Sequence, residues 1–354
     1  MGVGPKQRRN RKERVKLRDV ANKVGVSAIT VSRALRNPNK VSPELRQTIL
    51  EAIEQMGYIP DLAARALASC NNGVVGVLLP ALNQQLFSSV MLGIEERLRP
   101  TDLRIQYANT RYEPEEEVNS IRAFLAQKPA GLILIGVERY EEIELLANRA
   151  PCPIVHIVDL SQQPNSLAVG IRHRVAAESA VRFMLDRNYR RIALLGGRMD
   201  VRARQRQVGY EEVMREVGLF DPSLIINEPS ATSVGLGCSL FERLFAQAPD
   251  IDGVLCHNDD LALGVLFECQ RRGIRVPEEI GICGFNDLDF ASSIHPGLTT
   301  VHVPRYEIGH RAADMLVNAM QDDEVAEGKI ELGFTVMERG TTRGLAATSL
   351  SGEK

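Results

Sequence analysis

The sequence predicts a small all-α head followed by an α/β body of two lobes. Residues 17–36 place apolar side chains at helical spacing on both sides of a single glycine. From Gly73 onward, short β-branched runs alternate with longer helical ones over about 270 residues, roughly twice the length of one small α/β unit. The charge is divided in the same place. Residues 1–70 carry 14 Lys and Arg against 6 Asp and Glu, whereas the whole chain, at 43 against 45, is close to neutral. A basic head on an acidic body puts any attraction for polyanions at one end. At 354 residues the chain is too long for one core, and 44% apolar with 25% charged residues is an ordinary globular composition.

In the head, Leu17, Val20, Ala21 and Val24 fall at i, i+3, i+4 and i+7, one buried stripe. Gly25 permits a sharp turn, and Ser27 is placed to cap the next helix. Val31, Ala34 and Leu35 give that helix its buried side, leaving Ala28, Ile29, Thr30, Ser32, Arg33 and Arg36 on its outer and N-terminal faces. This is a helix-turn-helix, whose second helix fits a DNA major groove. For these residues alone the alternative is a common helical hairpin with a solvated basic face. Upstream, residues 1–16 carry seven basic side chains against Glu13 and too few apolar ones to fold. They are expected to be a disordered arm, either touching phosphates or solvated.

A third helix begins at Ser42 and Pro43, buries Leu45, Ile49, Ile53 and Met56, and ends at Gly57. Within 58–69, Pro60 interrupts and Asp61 can cap one or two further turns. A helix that short depends on a partner surface.

In the body the expected strands are 74–79, 104–108, 131–136, 154–159, 167–170, 191–195, 224–227, 253–257 and 280–284. Between the first two, Phe87, Val90, Met91, Ile94 and Leu98 form a helical stripe. Such alternation gives βαβ units and buried parallel sheets. From about Leu345 the chain reads as a loose tail.

Several classes are disfavoured. The six cysteines form no C-x-x-C pair and read as reduced thiols in a cytoplasmic protein. Neither a leader-like apolar stretch nor a run of about 18 apolar residues occurs, so no membrane role is expected. No metal-ligand cluster, nucleophile elbow or phosphate-cradling glycine loop is evident. The expectation is therefore no metal, no cofactor and no catalysis.

Asp19-Val-Ala, Gly25-Val-Ser, Thr30-Val-Ser-Arg33, Gly57-Tyr-Ile-Pro60 and Ala64-Arg-Ala-Leu-Ala68 follow one another at the spacing of the lactose/galactose repressor family. Asn258-Asp259, Gly284-Phe-Asn-Asp287 and Leu298-Thr-Thr300 resemble the regulatory part of the same family. The resemblance runs over about residues 16–343. Residues 29–36 and the Leu-Leu-Pro-Ala-Leu-Asn opening at 78–83 are most similar to its gluconate and ketogluconate repressors.

The resemblance implies a lambda-repressor-like helix-turn-helix head on a periplasmic-binding-protein-like core of two α/β lobes joined by three chain crossings. Residues 1–16 would be the arm, 17–60 the DNA-binding domain, 61–70 a hinge helix, 71–343 the effector-binding and dimerisation core, and 344–354 the tail. The lobes would comprise about 71–170 plus 301–334, and 171–300 plus 335–343. Partners would be a palindromic double-stranded operator, a small-molecule effector and a second copy of the chain, in some members a tetramer. A solute receptor, or a sugar-acid enzyme using the same cleft, are rival readings. The basic head and the missing catalytic motifs count against them.

On this resemblance Ala28 and Ile29 take the two main specificity positions, where they can pack on thymine methyls. Arg33 takes the base-reading position, and a bidentate contact to guanine discriminates by about 1–3 kcal/mol. The alternative for Arg33 is a phosphate contact alone. Thr30 and Ser32 would bond phosphates. Leu67 would wedge into the minor groove, its alternative being a core position of the hinge helix. Leu17, Ser27, Arg36, Tyr58 and Ala64 complete the expected DNA contacts. Asp61 stands where many members have Asn and is expected to cap.

Matching effector positions are Asn83, Phe87, Asp159, Arg206, Asn258 and Asn286, and Arg202, on the same segment as Arg206, is a further effector candidate. Phe87 or Phe285 would cover an apolar face of the ligand, since the chain has no Trp. Arg206 can fork onto a carboxylate, with Arg202 and Arg204 beside it. Asn286, where some members carry Asp, removes a negative charge. The cluster suits a sugar acid, and the alternative is a neutral sugar or nucleobase. Asp259 and Asp287 are expected to be structural acids.

Overall fold

The computed structural model describes residues 15–36, 40–58, 71–82, 84–135, 141–160, 166–321 and 328–344. The expected arm before Val15, the hinge at 61–70 and the tail from Leu345 lie outside the described residues. The chain forms two compact units, residues 1–72 and 73–354.

The head holds α1 (Leu17–Val24), α2 (Ala28–Arg36) and α3 (Pro43–Met56). Val20, Ala21, Val31, Ala34, Ile49 and Ala52 are buried at their meeting point. Local chemistry fixes the helix ends. The Asp19 carboxylate accepts from the Lys16 N–H at 2.8 Å and opens α1. Gly25 closes it at φ 77°. Ser42 Oγ accepts from the Leu45 N–H at 3.3 Å with Pro43 in the first turn, and Gly57 closes α3 at φ 62°.

The body holds two six-stranded sheets. In the first, β1 (Val74–Leu79), β2 (Arg104–Asn109), β3 (Gly131–Leu134), β4 (Ile154–Asp159), β5 (Leu167–Ile171) and β11 (Lys329–Glu331) run in the order β11-β5-β4-β3-β1-β2, each pair parallel. In the second, β6 (Ile192–Gly197), β7 (Ile225–Glu228), β8 (Gly253–Cys256), β9 (Gly281–Asn286), β10 (Thr299–His302) and β12 (Thr335–Met337) run in the order β12-β10-β9-β8-β6-β7. The sequence pattern anticipates nine of these strands, with ends one or two residues off. It does not anticipate β10, nor β11 and β12, whose three residues are too short to show a period. β12 also departs from the all-parallel expectation, pairing antiparallel with β10.

Helices cover both sheets: α4 (Gln85–Leu98), α5 (Pro114–Ala126), α6 (Glu141–Asn148), α7 (His173–Asp186), α8 (Val201–Glu216), α9 (Val234–Gln247), α10 (Asp259–Arg272) and α11 (Arg305–Met320). The chain passes between the sheets after β5, after β10 and between β11 and β12. Because the strands are parallel, their carboxyl ends share one edge of each sheet, where open α/β sheets bind ligands.

Two helices of the first lobe meet backbone to backbone. A Cβ on Gly93 of α4 would lie 2.2 Å from the Tyr306 carbonyl oxygen, and one on Gly309 of α11 would lie 2.0 Å from that of Val90. Backbone cannot yield as a side-chain tip can, so added volume must part the helices. Gly309→Ala is expected to destabilise the body by about 1–3 kcal/mol in urea unfolding. Gly333→Ala, where a Cβ meets nothing within 4 Å, should be silent. A silent Gly309→Ala would contradict the close contact.

Candidate functional site

The head presents the outer face of α2. Ser27 Oγ accepts from the Thr30 N–H at 3.2 Å, and the two hydroxyls lie 2.9 Å apart. Ile29 is 65% exposed, unusual for a large apolar side chain, and Arg33, one turn on, is exposed as well. Thr30 and Ser32 are half-buried. Leu17, Ala28 and Tyr58 are also half-buried and pack against the head core, leaving Ser27, Ile29 and Arg33 as the exposed ones among the described expected contacts. Arg36 lies in α2, with its side chain outside the described residues; Ala64 and Leu67 fall outside them altogether.

In the body, residues from both sheets converge on a cleft at the strands' carboxyl ends. Gln84, Leu86 and Tyr112 come from the first lobe. Arg198, Asp200, Arg202, Arg206, Thr232, His257, Asn258 and Asn286 come from the second. The space between them, solvent included, is about 390 Å3.

Arg206 is at its centre. The side chain is buried. Its Nε and Nη2 face His173 Nδ1 at 3.3 and 3.2 Å, Nη1 donates to the His257 carbonyl, and the guanidinium lies 3.8 Å from the centroid of the Phe285 ring. All of these partners are uncharged. Burial, then the nearby charge of Arg202, pull its pKa down to about 9, so it remains a cation at neutral pH. Arg202 differs: its Nη2 pairs with Asp200 at 2.5 Å. Burial opposes its charge, but Asp200 and Tyr112 more than offset that and hold its pKa above the ordinary arginine value. Burial likewise works against the Asp200 carboxylate. Arg202 and the Ala203 N–H, which Asp200 caps at 3.1 Å, still keep its pKa below the usual range.

His257, 3% exposed, has both ring nitrogens without a partner among the described residues, and so does Arg202 Nη1. Unpaired buried polar atoms at a cleft are sites for a ligand's hydroxyls or carboxylate. Burial, then Arg206, hold His257 down to about 3.

Asn258 lines the cleft, and its Oδ1 accepts from the Leu261 N–H at 3.0 Å and caps α10. Asn286 ends β9 at φ 109°. Asp159 does not line the cleft; it accepts from Gln205 Nε2 at 3.3 Å. Phe87 does not reach it either. It is fully buried in the first-lobe core with Val90 and Ile94, because the helical period of α4 turns it inward and Leu86 toward the cleft. Phe285 is buried too and serves as a floor for Arg206. Asn83 lies outside the described residues. Asp259 is a structural acid: buried, it accepts from the Thr300 hydroxyl at 2.5 Å and the Leu288 N–H at 2.7 Å. Asp287 pairs with Arg339 at 2.8 Å and His302 at 2.9 Å.

The sequence pattern misses Tyr112 and Arg198. The Tyr112 hydroxyl donates to Gln84 Oε1 at 2.7 Å, Gln84 Nε2 donates to Thr232 Oγ1 at 3.4 Å, and the Arg198 guanidinium covers the Tyr112 ring at 3.9 Å. The last two of these contacts bridge the lobes. The only signal available in the sequence was their place just after a strand. The backbone marks the region as well. Among the described residues, eight non-glycines have positive φ, and Arg111, Tyr112, Val158, Arg198, Asn286 and Asp287 are six of them. Such strain persists where a site requires it.

Residues 16–61 match the family described as bacterial regulatory proteins, lacI family, and residues 181–342 match a periplasmic binding protein-like domain. The HTH-type transcriptional regulator GntR of Pseudomonas aeruginosa is 40% identical over 326 residues, 92% of this chain and 95% of its own. GntR of Escherichia coli K12 is 36% identical over 331 residues, 94% of this chain and 99% of its own. A LacI family regulator from Silicibacter pomeroyi superposes with a TM-score of 0.85 at 33% identity, over 93% of this chain and all of that one.

The neutral histidines bear on stability. Burial also holds His173 well below its usual value. An imidazole that stays neutral when folded but protonates near 6.5 when unfolded stabilises fully above pH 6.5, and that stability is lost as pH falls toward the folded value. Between pH 7.5 and 5.5 His257 should cost about 1 kcal/mol of unfolding free energy, and His173 acts in the same direction. Asp259, raised by burial to about 6, works in the opposite sense and offsets part of the loss. His257→Gln should therefore flatten the pH dependence of urea unfolding by about 1 kcal/mol relative to the unsubstituted chain. An unchanged slope would show that His257 is not a neutral buried group.

Proposed function

The chain belongs to the lacI family of bacterial regulatory proteins, and we propose that this DNA-binding transcriptional regulator controls carbohydrate or sugar-acid metabolism through an anionic, polyhydroxylated effector of the gluconate class. It is not an enzyme. The observation that carries the effector reading is the Arg206 guanidinium, buried and held only by neutral groups. A buried cation without a counter-ion is costly, and a ligand carboxylate forking onto it relieves that cost with two charge-assisted bonds. Arg202 and Arg198 add to the positive field. Asn258, Asn286 and the unpaired nitrogens of His257 suit a chain of hydroxyls.

The DNA half of the reading is a homodimer placing two heads on a palindrome, as protein two-fold symmetry requires. Ile29 packs on a thymine methyl and Arg33 reads a guanine. Leu67 is the wedge at the centre of the site. The effector touches both lobes and so favours one arrangement of them. In the dimer this sets the spacing of the two 61–70 segments and thereby operator affinity. A coupling of about 1–3 kcal/mol corresponds to a 5–150-fold change.

Calorimetric titration with gluconate should give saturable heat, and Arg206→Ala should remove it, weakening binding at least ~100-fold (about 2.7 kcal/mol). Saturation by a neutral sugar or a nucleobase, with no response to sugar acids, would overturn the effector assignment. On the DNA side, Arg33→Ala should relax discrimination at one base pair by about 1–3 kcal/mol at fixed salt. An equal loss across all sequences would instead make Arg33 a phosphate contact.

A further inference from the structure

The Arg206 anchor is connected to the first sheet through one side chain. Val158, near the end of β4, has φ 78°, a region that a β-branched residue enters only under constraint. Its β5 neighbour is Gly170, where a Cβ would stand 2.6 Å from the Val158 carbonyl oxygen. The sequence thus leaves room for a peptide turned out of its ordinary orientation. The turned carbonyl meets His173 Nε2 at 3.2 Å.

His173 opens α7 and is 1% exposed. Its other ring nitrogen, Nδ1, faces Nε and Nη2 of Arg206. A guanidinium can only donate. Nδ1 must therefore carry the lone pair and Nε2 the proton, which it donates to Val158. One tautomer satisfies every contact, and a second proton on the ring would point at a cation. Burial and the charges of Arg206 and Arg202 oppose that proton. The ring also lies 5.9 Å from Phe285, on which Arg206 rests.

We propose that His173 is the positioning residue of the effector anchor: its neutral ring aims the Arg206 guanidinium into the cleft and ties it to the first-sheet backbone at Val158. A carboxylate at this position would also orient the arginine, but it would neutralise the charge that the ligand needs. An imidazole orients without neutralising. The ligand arm of the test rests on the sugar-acid reading; the spectroscopic arm does not.

The full chain is labelled with 15N-histidine, which gives six residues to resolve. His173 is identified by the signals lost in His173→Phe. Its ring should show the Nε2–H tautomer and no titration between pH 5.5 and 8, and Arg206→Ala should change its tautomer or let it titrate. Titration in the unsubstituted chain, or ring signals indifferent to Arg206→Ala, would overturn the proposal. In calorimetry with gluconate, His173→Phe, which keeps ring packing but no bonds, should bind at least tenfold more weakly. His173→Asn, whose amide oxygen can still accept, should recover part of the loss. Equal affinity of His173→Phe and the unsubstituted chain would reduce His173 to packing. If the unsubstituted chain takes up no gluconate, the effector reading fails, and the ring spectra still decide the role of His173.

Discussion

The body is arranged around the buried Arg206 guanidinium, which among the described residues is contacted by uncharged groups rather than by a carboxylate. Moving a guanidinium out of water costs several kcal/mol unless each N–H finds an acceptor. Arg206 finds them in groups brought from distant parts of the chain. His173 stands at the first residue of α7, the His257 carbonyl follows β8, and Phe285 lies within β9. None of these cancels the charge. The cation is held because strand ends and helix starts converge there.

The neighbouring arginine shows the contrast. Arg202, four residues earlier on the same helix, is paired with Asp200, the residue that caps that helix. Its charge supports the fold as well as the field in the cleft. Two buried arginines one helical turn apart therefore differ in their partners: Arg202 is paired with a carboxylate, and Arg206 contacts only uncharged groups. The cross-lobe contacts, Gln84 with Thr232 and Tyr112 with Arg198, then close over the site.

Much of the architecture was legible in the sequence because it rests on local chemistry. The helix-turn-helix follows from apolar spacing, Gly25 and the Ser27 cap, and the third helix from Ser42, Pro43 and Gly57. Nine strands were legible as β-branched runs. Strands β11 and β12 were not, since three residues show no period. Phe87 illustrates a conflict between two signals: a matching position put it in the cleft, whereas its own helical stripe put it in the core, and the stripe prevailed. Arg202 and Arg206 stood out through their spacing on one segment. His173, His257, Tyr112 and Arg198 did not, because single residues from separate turns acquire meaning only when the fold brings the turns together.

The glycine contacts between helices have a mechanical meaning. Gly93 with Gly309, and likewise Gly237 with Gly264 between α9 and α10, set main chain against main chain with no flexible side chain between. Each lobe is therefore stiff across its helical face. The polypeptide changes sheets three times, after β5, after β10 and between β11 and β12, and those crossings lie outside these helix-to-helix contacts.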